Sequence, residues 1–160
     1  LASWALVDDH QAVLELGLTD GAVLHHLMNQ YNIRACGACF DTECAQDSRH
    51  ELMGAEIMYT PPGDIPWLAN SFDRVLIAQP MPARFDNSGW VEEVFRTLKP
   101  GGKLLMVLPI LQHDGTAGTL RERYVRPKNL LARFNAGGFD DVSYRYAFPA
   151  HAILTAGKPA

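Results

Sequence analysis

The stretch Phe95-Arg96-Thr97-Leu98-Lys99-Pro100-Gly101-Gly102-Lys103-Leu104 joins an amphipathic helix to a buried strand through one tight turn. Apolar residues before the turn recur at helical spacing. The helix is predicted to stop at Lys99-Pro100-Gly101-Gly102, since proline cannot continue a helix and glycine permits a sharp turn. Residues 103–109 are almost continuously apolar, which is typical of a strand covered on both faces. The stretch therefore predicts a sheet with helices packed against both faces.

Short aliphatic runs alternate with segments of helical period along the rest of the chain. Strands are predicted at residues 12–16, 33–40, 56–59, 74–78, 103–109, 142–148 and 151–156. Further helices are predicted around Leu24, Leu27, Met28 and Tyr31, and from Pro127 through Leu130, Leu131 and Phe134 to Gly137-Gly138. Only two residues separate the last two strands, so these must run antiparallel. The predicted fold class is α/β: a Rossmann-like, doubly wound, mostly parallel seven-stranded sheet with an antiparallel C-terminal strand pair, in a single domain spanning 1–160.

Composition and charge limit the partners of the 160-residue chain. Its formal net charge is −4, which argues against nucleic acid and favours a small-molecule substrate. No apolar run is long enough to span a membrane. Three cysteines, no signal-peptide pattern and an enzyme-like composition predict a reducing, cytoplasmic location. Because the chain opens Leu1-Ala2-Ser3-Trp4 without an initiator methionine, we expect a fragment or a processed form.

The cysteines raise the hypothesis of a zinc site, with Cys36, Cys39 and Cys44 as ligands and His50 as the fourth. Tetrahedral zinc needs paired ligands on a tight turn. Cys36 and Cys39 instead fall on a predicted strand, where positions three apart point to opposite faces. We therefore predict that these cysteines are small buried hydrophobes and that the chain holds no metal.

A candidate binding site lies at Glu15-Leu16-Gly17-Leu18-Thr19-Asp20-Gly21, between the first strand and the first helix. Glycine allows a sharp turn here and lets a ligand approach the backbone, and the helix that follows offers N–H groups and the positive end of its dipole. A ligand would lie across the carboxyl ends of the strands, where the strand order reverses. The alternative is a strand-to-helix turn that needs glycine for steric reasons only.

Several segments resemble class I S-adenosylmethionine (SAM)-dependent methyltransferases of type 11. Val13-Leu14-Glu15-Leu16-Gly17, followed by Gly21, resembles their glycine-rich motif, and Asn70-Ser71-Phe72-Asp73-Arg74-Val75 resembles the segment around their fourth strand. The decisive stretch quoted first is very similar to the helix, turn and strand that lead into their fifth strand, and Gly138-Phe139 also fits. The resemblance covers residues 12–156 in the order and spacing of the family. It implies a Rossmann-like fold with SAM as the cofactor.

The resemblance also implies which residues hold the methionine part of SAM. In the family this part is surrounded by the acidic residue that ends strand one and by the glycines after it, which here are Glu15, Gly17 and Gly21. Thr19 takes a middle position that is usually glycine. A Cβ there can crowd the ligand, at a cost of about 1–3 kcal/mol if a strained backbone is required.

The ribose-holding position at the end of strand two differs from the family. The aligned residue is Cys39, which cannot accept two strong hydrogen bonds as a carboxylate does. Asp41, two residues on, is the candidate to replace it. Phe40 falls where the family has an apolar residue against adenine, and it suits that contact.

The adenine-recognition residue between strands three and four is predicted to be Asp64, with Ile65 beside it. Asp64 lies nearer to Pro66-Trp67 than the family pattern has it. Gln79, directly after strand four, completes the predicted cofactor-binding residues.

Catalytic residues are harder to assign. Ala78-Gln79-Pro80-Met81-Pro82 differs from the Asn/Asp-Pro-Pro-aromatic motif of amino-methylating enzymes. Methyl transfer to a hydroxyl or carbon often uses a general base or positioning alone. The candidate bases are His113 and Asp114, just past strand five, and the alternative is that both are polar residues of a solvated loop. The substrate pocket is expected to include the start of the chain and the loops 80–87 and 110–124.

Three hypotheses for function remain open. The first is a SAM-dependent methyltransferase that acts on a small molecule at O, N or C. The second is a non-catalytic relative that serves as a binding or scaffold module, as a homodimer or with a partner subunit. Thr19, Cys39, the displaced Asp64 and the short segment before strand one favour it. The third is another nucleotide such as NAD, against which the terminal strand pair argues. The first is preferred because this fold commonly serves that chemistry.

Overall fold

The computed structural model describes residues 6–79, 81, 85, 89–109, 127–148 and 151–160. The strands are β1 (Ala12–Leu16), β2 (Arg34–Cys39), β3 (Glu56–Tyr59), β4 (Phe72–Ile77), β5 (Leu98–Pro109), β6 (Asp140–Phe148) and β7 (His151–Gly157). The helices are α1 (Ala22–Gln30), α2 (Thr42–Glu51), α3 (Trp90–Thr97) and α4 (Pro127–Ala136). These strands join one seven-stranded sheet in the order β3-β2-β1-β4-β5-β7-β6.

The pairing of the strands confirms the predicted fold class. β1 to β5 run parallel, while β7 runs antiparallel to both β5 and β6. From β1 the chain builds outward to β3 and then crosses to β4 on the other side of β1. In a sheet of this kind the reversal of order opens a crevice at the carboxyl ends of the strands. Here that crevice lies at the ends of β1 and β4.

Successive strand residues point to opposite faces of the sheet, and each face is covered by two of the helices that the structure describes. On the α1/α2 face, Val13 of β1 belongs to the same apolar cluster as Leu24 of α1 and Ala45 of α2. On the α3/α4 face, Leu14 shares a cluster with Trp90 of α3 and with residues of α4. Burial on both sides explains why the parallel strands are apolar at nearly every position.

Helix α2 was not predicted from the apolar pattern. Its buried residues are Ala45 and Ser48, which make too narrow a stripe to give a helical signal. Its signals are polar instead. Asp41 caps its first turn and basic residues occupy its last turn, where they complement the helix dipole.

The turn predicted at Lys99-Pro100-Gly101-Gly102 is wrong in its bounds. α3 already ends at Thr97, and β5 begins at Leu98, which pairs with Phe72 of β4 before the register shifts. Gly101 supplies the bend with a φ of 76°, and its N–H donates to the carbonyl of Lys158 at 2.9 Å. The C-terminal segment thus holds this bend in place. The other predicted strand bounds agree with the structure to within two residues.

Candidate functional site

The turn after β1 depends on glycine at two positions. Gly17 has a φ of 75° and Gly21 a φ of 66°, in the left-handed region that residues with a Cβ rarely adopt. A Cβ on Gly17 would also lie 3.0 Å from Cε2 of Phe40. The N–H groups of Gly17 and Leu18 both donate to the carbonyl of Ala38, at 2.9 and 3.0 Å. The turn is therefore tied to β2 and brings the backbone of Gly17 next to Phe40.

Thr19 does not require a left-handed backbone. The described non-glycine residues with positive φ are Leu6, His10, Asn70 and Asp141. Thr19 therefore avoids the backbone strain that was expected for a Cβ at the middle position of the turn. Threonine is compatible with the turn as it stands.

Glu15 lies beneath this turn and is only 2% exposed. Its Oε2 accepts a hydrogen bond from the N–H of Leu24 at 3.1 Å, which ties β1 to the first turn of α1. Burial raises the pKa of Glu15 to about 7, although the Leu24 hydrogen bond opposes this, and the nearby Asp20 carboxylate raises it further. The Glu15 carboxyl group therefore titrates near neutral pH.

Carboxylates already occupy amide donors at the start of α1. Oδ1 of Asp20 accepts from the N–H of Ala22 at 3.1 Å, and Glu15 accepts from Leu24. Free N–H groups at a helix start attract phosphate and other anions. Here two of those donors are already bonded to carboxyl groups, so the start of α1 suits a cation better than a phosphate.

The end of β2 places Cys39 and Asp41 in different surroundings. Cys39 is fully buried in the cluster on the α1/α2 face. Asp41 is exposed and caps α2, and its Oδ1 accepts from the N–H of Cys44 at 2.7 Å. Its second oxygen, Oδ2, accepts no hydrogen bond from the described residues. Asp41 therefore keeps a free carboxylate oxygen that can accept a hydrogen bond from a ligand.

A crevice of about 160 Å³ lies at the carboxyl ends of β1, β2 and β4. The predicted cofactor-binding residues that line it are Gly17, Thr19, Phe40, Asp41 and Gln79. Glu15, Gly21 and Cys39 belong to the same strand ends and turn but do not line the crevice. The structure thus brings together three segments that are far apart in the sequence.

Further lining residues were not predicted: Leu16, Leu18, Ile77, Met81 and Phe85. Leu16 and Leu18 flank Gly17 and Ile77 ends β4, so their places in the motifs could have indicated them. Phe85 meets Phe40 edge-to-face, with ring centroids 5.0 Å apart. No pattern in the sequence pairs these two rings, because Phe40 follows β2 and Phe85 lies in the segment after β4, and β1 separates these two strands in the sheet.

Asp64 and Ile65 do not line this crevice. The N–H of Ile65 donates to Oε2 of Glu93 on α3 at 2.9 Å, and its carbonyl accepts from Arg96 at 2.8 Å. Arg96 also donates to the carbonyl of Trp67 at 2.9 Å. The hydrogen bond from Arg96 lowers the pKa of Glu93. This ion pair fastens the loop after β3 to α3 and uses the backbone donor of Ile65.

Two prolines limit what the start of the same loop can offer a ligand. Pro61 and Pro62 follow Thr60 directly after β3 and carry no N–H. The buried Thr60 donates its hydroxyl hydrogen to carbonyls of its own loop, those of Pro61 and Asp64. Backbone recognition of a base by this part of the loop is therefore restricted.

The cysteines are distributed between the two faces of the sheet. Cys36 belongs to the cluster on the α3/α4 face and Cys39 to the cluster on the α1/α2 face, as alternation along β2 predicts. Within the described ranges, no group of three or more His, Cys, Asp or Glu side chains could hold a metal ion. In the same ranges, no helix is long and apolar enough to cross a membrane. The candidate bases His113 and Asp114 lie outside the described residues.

The family whose description is "Methyltransferase domain" matches residues 14–106, which is more than half of the chain. This match contains the glycine turn, the end of β2 and the end of β4. No curated protein matches the sequence.

Solved structures resemble the chain over nearly its whole length. The complex between the Haloferax volcanii Trm112 methyltransferase activator and a methyltransferase contains a chain 18% identical, with a TM-score of 0.79, over 99% of this chain and 87% of that one. Haemonchus contortus phosphoethanolamine N-methyltransferase 2, solved with S-adenosyl-L-methionine, is 16% identical with a TM-score of 0.80, over 99% of this chain and 51% of that one. A SAM-dependent methyltransferase from Aquifex aeolicus is 14% identical with a TM-score of 0.80, over 98% and 86%.

At such identities the structural likeness shows the fold, while the family match covers the segments that form the crevice. The predicted cofactor agrees with the family match and with the structurally similar Haemonchus contortus enzyme, which was solved with SAM. The seven-stranded sheet with its antiparallel β5-β7-β6 edge is the fold expected from the motifs. The protein therefore belongs to the class I SAM-dependent methyltransferase family.

Proposed function

We propose that the protein binds SAM in the crevice at the ends of β1, β2 and β4 and transfers its methyl group to a small-molecule acceptor. The observation that carries this proposal is that Gly17, Asp41 and Gln79, from three separate strand ends, line one crevice. When bound, SAM supplies an electrophilic methyl group on a positively charged sulfur. The residues of the chain bind and orient it.

The glycine turn would hold the methionine part. Because Gly17 has no Cβ, a ligand can approach the backbone at this turn. The Asp20 carboxylate before α1 and the partly ionised Glu15 near the end of β1 favour the positive charges of the SAM ammonium and sulfonium groups. The same charges disfavour the pyrophosphate of NAD, so SAM is the better match to this turn.

Asp41 would hold the ribose in place of the carboxylate that Cys39 lacks. Its Oδ1 is committed to capping α2, and Oδ2 remains to accept a hydrogen bond from a ribose hydroxyl. Hydrogen bonds to an ionised carboxylate are stronger than those between neutral groups. One oxygen is available rather than two, so we expect weaker ribose binding than a free carboxylate would give.

The base would be held mainly by apolar contact. Phe40 and Phe85 form an aromatic wall of the crevice. The loop after β3 contributes little polar recognition, because Pro61 and Pro62 lack an N–H and that of Ile65 is bonded to Glu93. Affinity for the base should therefore depend on shape and burial more than on the hydrogen-bonding edge of adenine.

A small-molecule acceptor is favoured by the charge of the protein. With a formal net charge of −4, the chain is not basic overall, which argues against an RNA or DNA substrate. Free cysteines at Cys36, Cys39 and Cys44 fit a reducing compartment such as the cytoplasm.

A second candidate function is a non-catalytic binding or scaffold module. The burial of Cys39 at the ribose position and the two prolines after β3 favour it, because both weaken cofactor binding. Such a module would act as a homodimer or with a partner subunit. One structurally similar protein was solved in complex with an activator, which gives a precedent for a partner.

Isothermal titration with SAM and with S-adenosylhomocysteine distinguishes the two candidates. Binding of either ligand with a micromolar or lower Kd supports the methyltransferase and justifies a screen of small-molecule acceptors. If a protein shown to be folded by circular dichroism produces no heat with either ligand, the enzyme proposal fails. Light scattering at the same concentration would then show whether the module is a dimer.

A further inference from the structure

Two thiols, those of Cys39 and Cys44, lie next to the turn after β1. Cys39 is the last residue of β2 and is fully buried, whereas Cys44 lies in the first turn of α2 and is partly exposed. Their Sγ atoms are 2.8 Å apart. Sγ of Cys44 also lies 3.0 Å from the carbonyl oxygen of Leu18 and 3.5 Å from that of Thr19. One thiol thus connects β2, α2 and the turn that lines the crevice.

This placement suits a disulfide between Cys39 and Cys44. The S–S bond of a disulfide measures about 2.05 Å, so the two sulfur atoms need to approach by less than ~1 Å. Cys36 cannot compete for either partner, because it is buried in the cluster on the opposite face of the sheet. Asp41, a lining residue of the crevice, lies within the short loop that the bond would close.

We propose that a peroxide joins Cys39 and Cys44 in a disulfide and thereby weakens cofactor binding, so that the site responds to oxidation. The effect on binding rests on the proposed SAM-binding function, whereas the formation of the disulfide does not. A reversible disulfide of this kind is compatible with a reducing compartment, where disulfides are transient.

The reaction consumes one hydrogen peroxide and releases two waters. Cys44, the more exposed thiol, attacks one peroxide oxygen as its thiolate, the O–O bond breaks, and a sulfenic acid and water result. The sulfur of Cys39 then attacks Sγ of Cys44 and displaces hydroxide, which leaves as water with the proton from the Cys39 thiol. Burial raises the pKa of the Cys39 thiol, so it is the resolving partner rather than the first nucleophile.

The bond removes a hydrogen bond from the turn. Once Sγ of Cys44 has lost its hydrogen, the carbonyl groups of Leu18 and Thr19 lose the donor that now reaches them. The first turn of α2, which Asp41 caps, is drawn toward β2. Because Thr19 and Asp41 both line the crevice, we expect SAM to bind roughly three- to tenfold more weakly, the worth of about one hydrogen bond.

Peptide mapping tests the bond itself. After treatment with hydrogen peroxide and alkylation of free thiols, cleavage after Arg34 and Arg49 and before Asp41 and Asp47 gives the peptides 35–40 and 41–46. We expect these peptides to be linked in the wild type, with the mass of the reduced pair less two hydrogen atoms and plus one alkyl group on Cys36. The link should persist in Cys36→Ala and be absent from Cys39→Ala and Cys44→Ser.

Titration and hydrogen exchange test its consequence. The wild type and Cys36→Ala should bind SAM more weakly after oxidation and recover with a thiol reductant. Cys44→Ser keeps a hydroxyl donor for Leu18 but cannot form the bond, so its affinity should not respond to peroxide. Amide exchange in residues 17–21 should rise on oxidation of the wild type but not of Cys44→Ser.

Several results would overturn the proposal. One is the lack of a 35–40/41–46 link in folded protein under excess peroxide, and another is a link that survives in Cys39→Ala. Complete linking that changes neither SAM affinity nor exchange in residues 17–21 would also overturn it. If the reduced protein binds neither SAM nor S-adenosylhomocysteine, the proposed function fails. The mapping and exchange results then decide the disulfide by themselves.

Discussion

The ring of Phe40 lies so close to the backbone of Gly17 that a Cβ on this glycine would come within 3.0 Å of Cε2. The contact joins the turn after β1 to the end of β2, the two segments that would hold the methionine and nucleoside parts of SAM. Gly17 is required here for two separate reasons, its φ of 75° and the space that Phe40 occupies. The two reasons can be separated by experiment.

Gly17→Ala should impair SAM binding, and Gly101→Ala should not. Both glycines have nearly the same positive φ, 75° and 76°, but a Cβ on Gly101 meets nothing within 4 Å. Each substitution should lower the free energy of unfolding by about 1 kcal/mol through backbone strain. Only Gly17→Ala also displaces Phe40. Titration with SAM and urea unfolding of both variants check this, and equal losses of SAM affinity would contradict it.

Glu15 should make the stability of the protein fall as pH rises toward neutral. Its pKa rises from 4.5 in the unfolded chain to about 7 in the folded one. Below the lower value both states are protonated and burial carries no penalty. Between the two values the unfolded state ionises while the folded state keeps its proton, so the free energy of unfolding decreases with pH and levels off above the folded pKa.

Glu15→Gln should remove this component, because a neutral amide does not titrate and its oxygen can still accept from Leu24. Between about pH 5 and pH 8, the wild type should lose about 2 kcal/mol more free energy of unfolding than the variant. Urea unfolding at both pH values measures the difference. Parallel pH profiles for the two proteins would show that Glu15 is not the titrating group.

Asp41→Asn should weaken SAM binding without loss of stability. Asparagine caps a helix about as well as aspartate, so the start of α2 should be preserved. The charged acceptor for the ribose is lost, and we expect roughly a tenfold or greater increase in Kd. Asp47→Asn makes the same change of charge on α2 outside the crevice and serves as the control. Equal Kd values for the two variants would remove Asp41 from the site.

The sequence predicts those parts of the fold that depend on local pattern. Val75 and Leu104 are fully buried in strands covered on both faces, and this burial produces the apolar runs by which the strands were recognised. Helix α2 was not predicted, because its stability depends on capping and on a narrow contact through Ala45 and not on a wide apolar stripe. Strand pairing of Leu98 was also missed, since it depends on Phe72 across the sheet.

The site shows the same division between local and distant causes. Gly17 and Phe40 could be named from motifs because each lies where a strand ends. The hydrogen bond of the Ile65 N–H could not be predicted from the sequence. Its acceptor, Glu93, lies 28 residues further along the chain, and only the packing of α3 brings the two residues together. A motif gives the order of residues but not the partner that a backbone donor finds.

The proposed apolar recognition of the base leads to a prediction about cofactor selectivity. In S-inosylhomocysteine the 6-amino group of adenine is replaced by a carbonyl and N1 carries a hydrogen, so the hydrogen-bonding edge is reversed. A site that reads this edge through buried polar groups would reject the analogue strongly. Here, Pro61 and Pro62 offer no N–H and that of Ile65 is bonded to Glu93, while Phe40 and Phe85 provide apolar contact. The analogue should therefore bind within roughly threefold of S-adenosylhomocysteine, since apolar packing on the ring is largely unchanged.

The 2′-deoxy analogue of S-adenosylhomocysteine is the matched control, because it should lose affinity through Asp41 in the wild type and lose little in Asp41→Asn. Competition titrations with both analogues measure these differences. A loss of more than about tenfold for the inosine analogue would mean that a polar group reads the base.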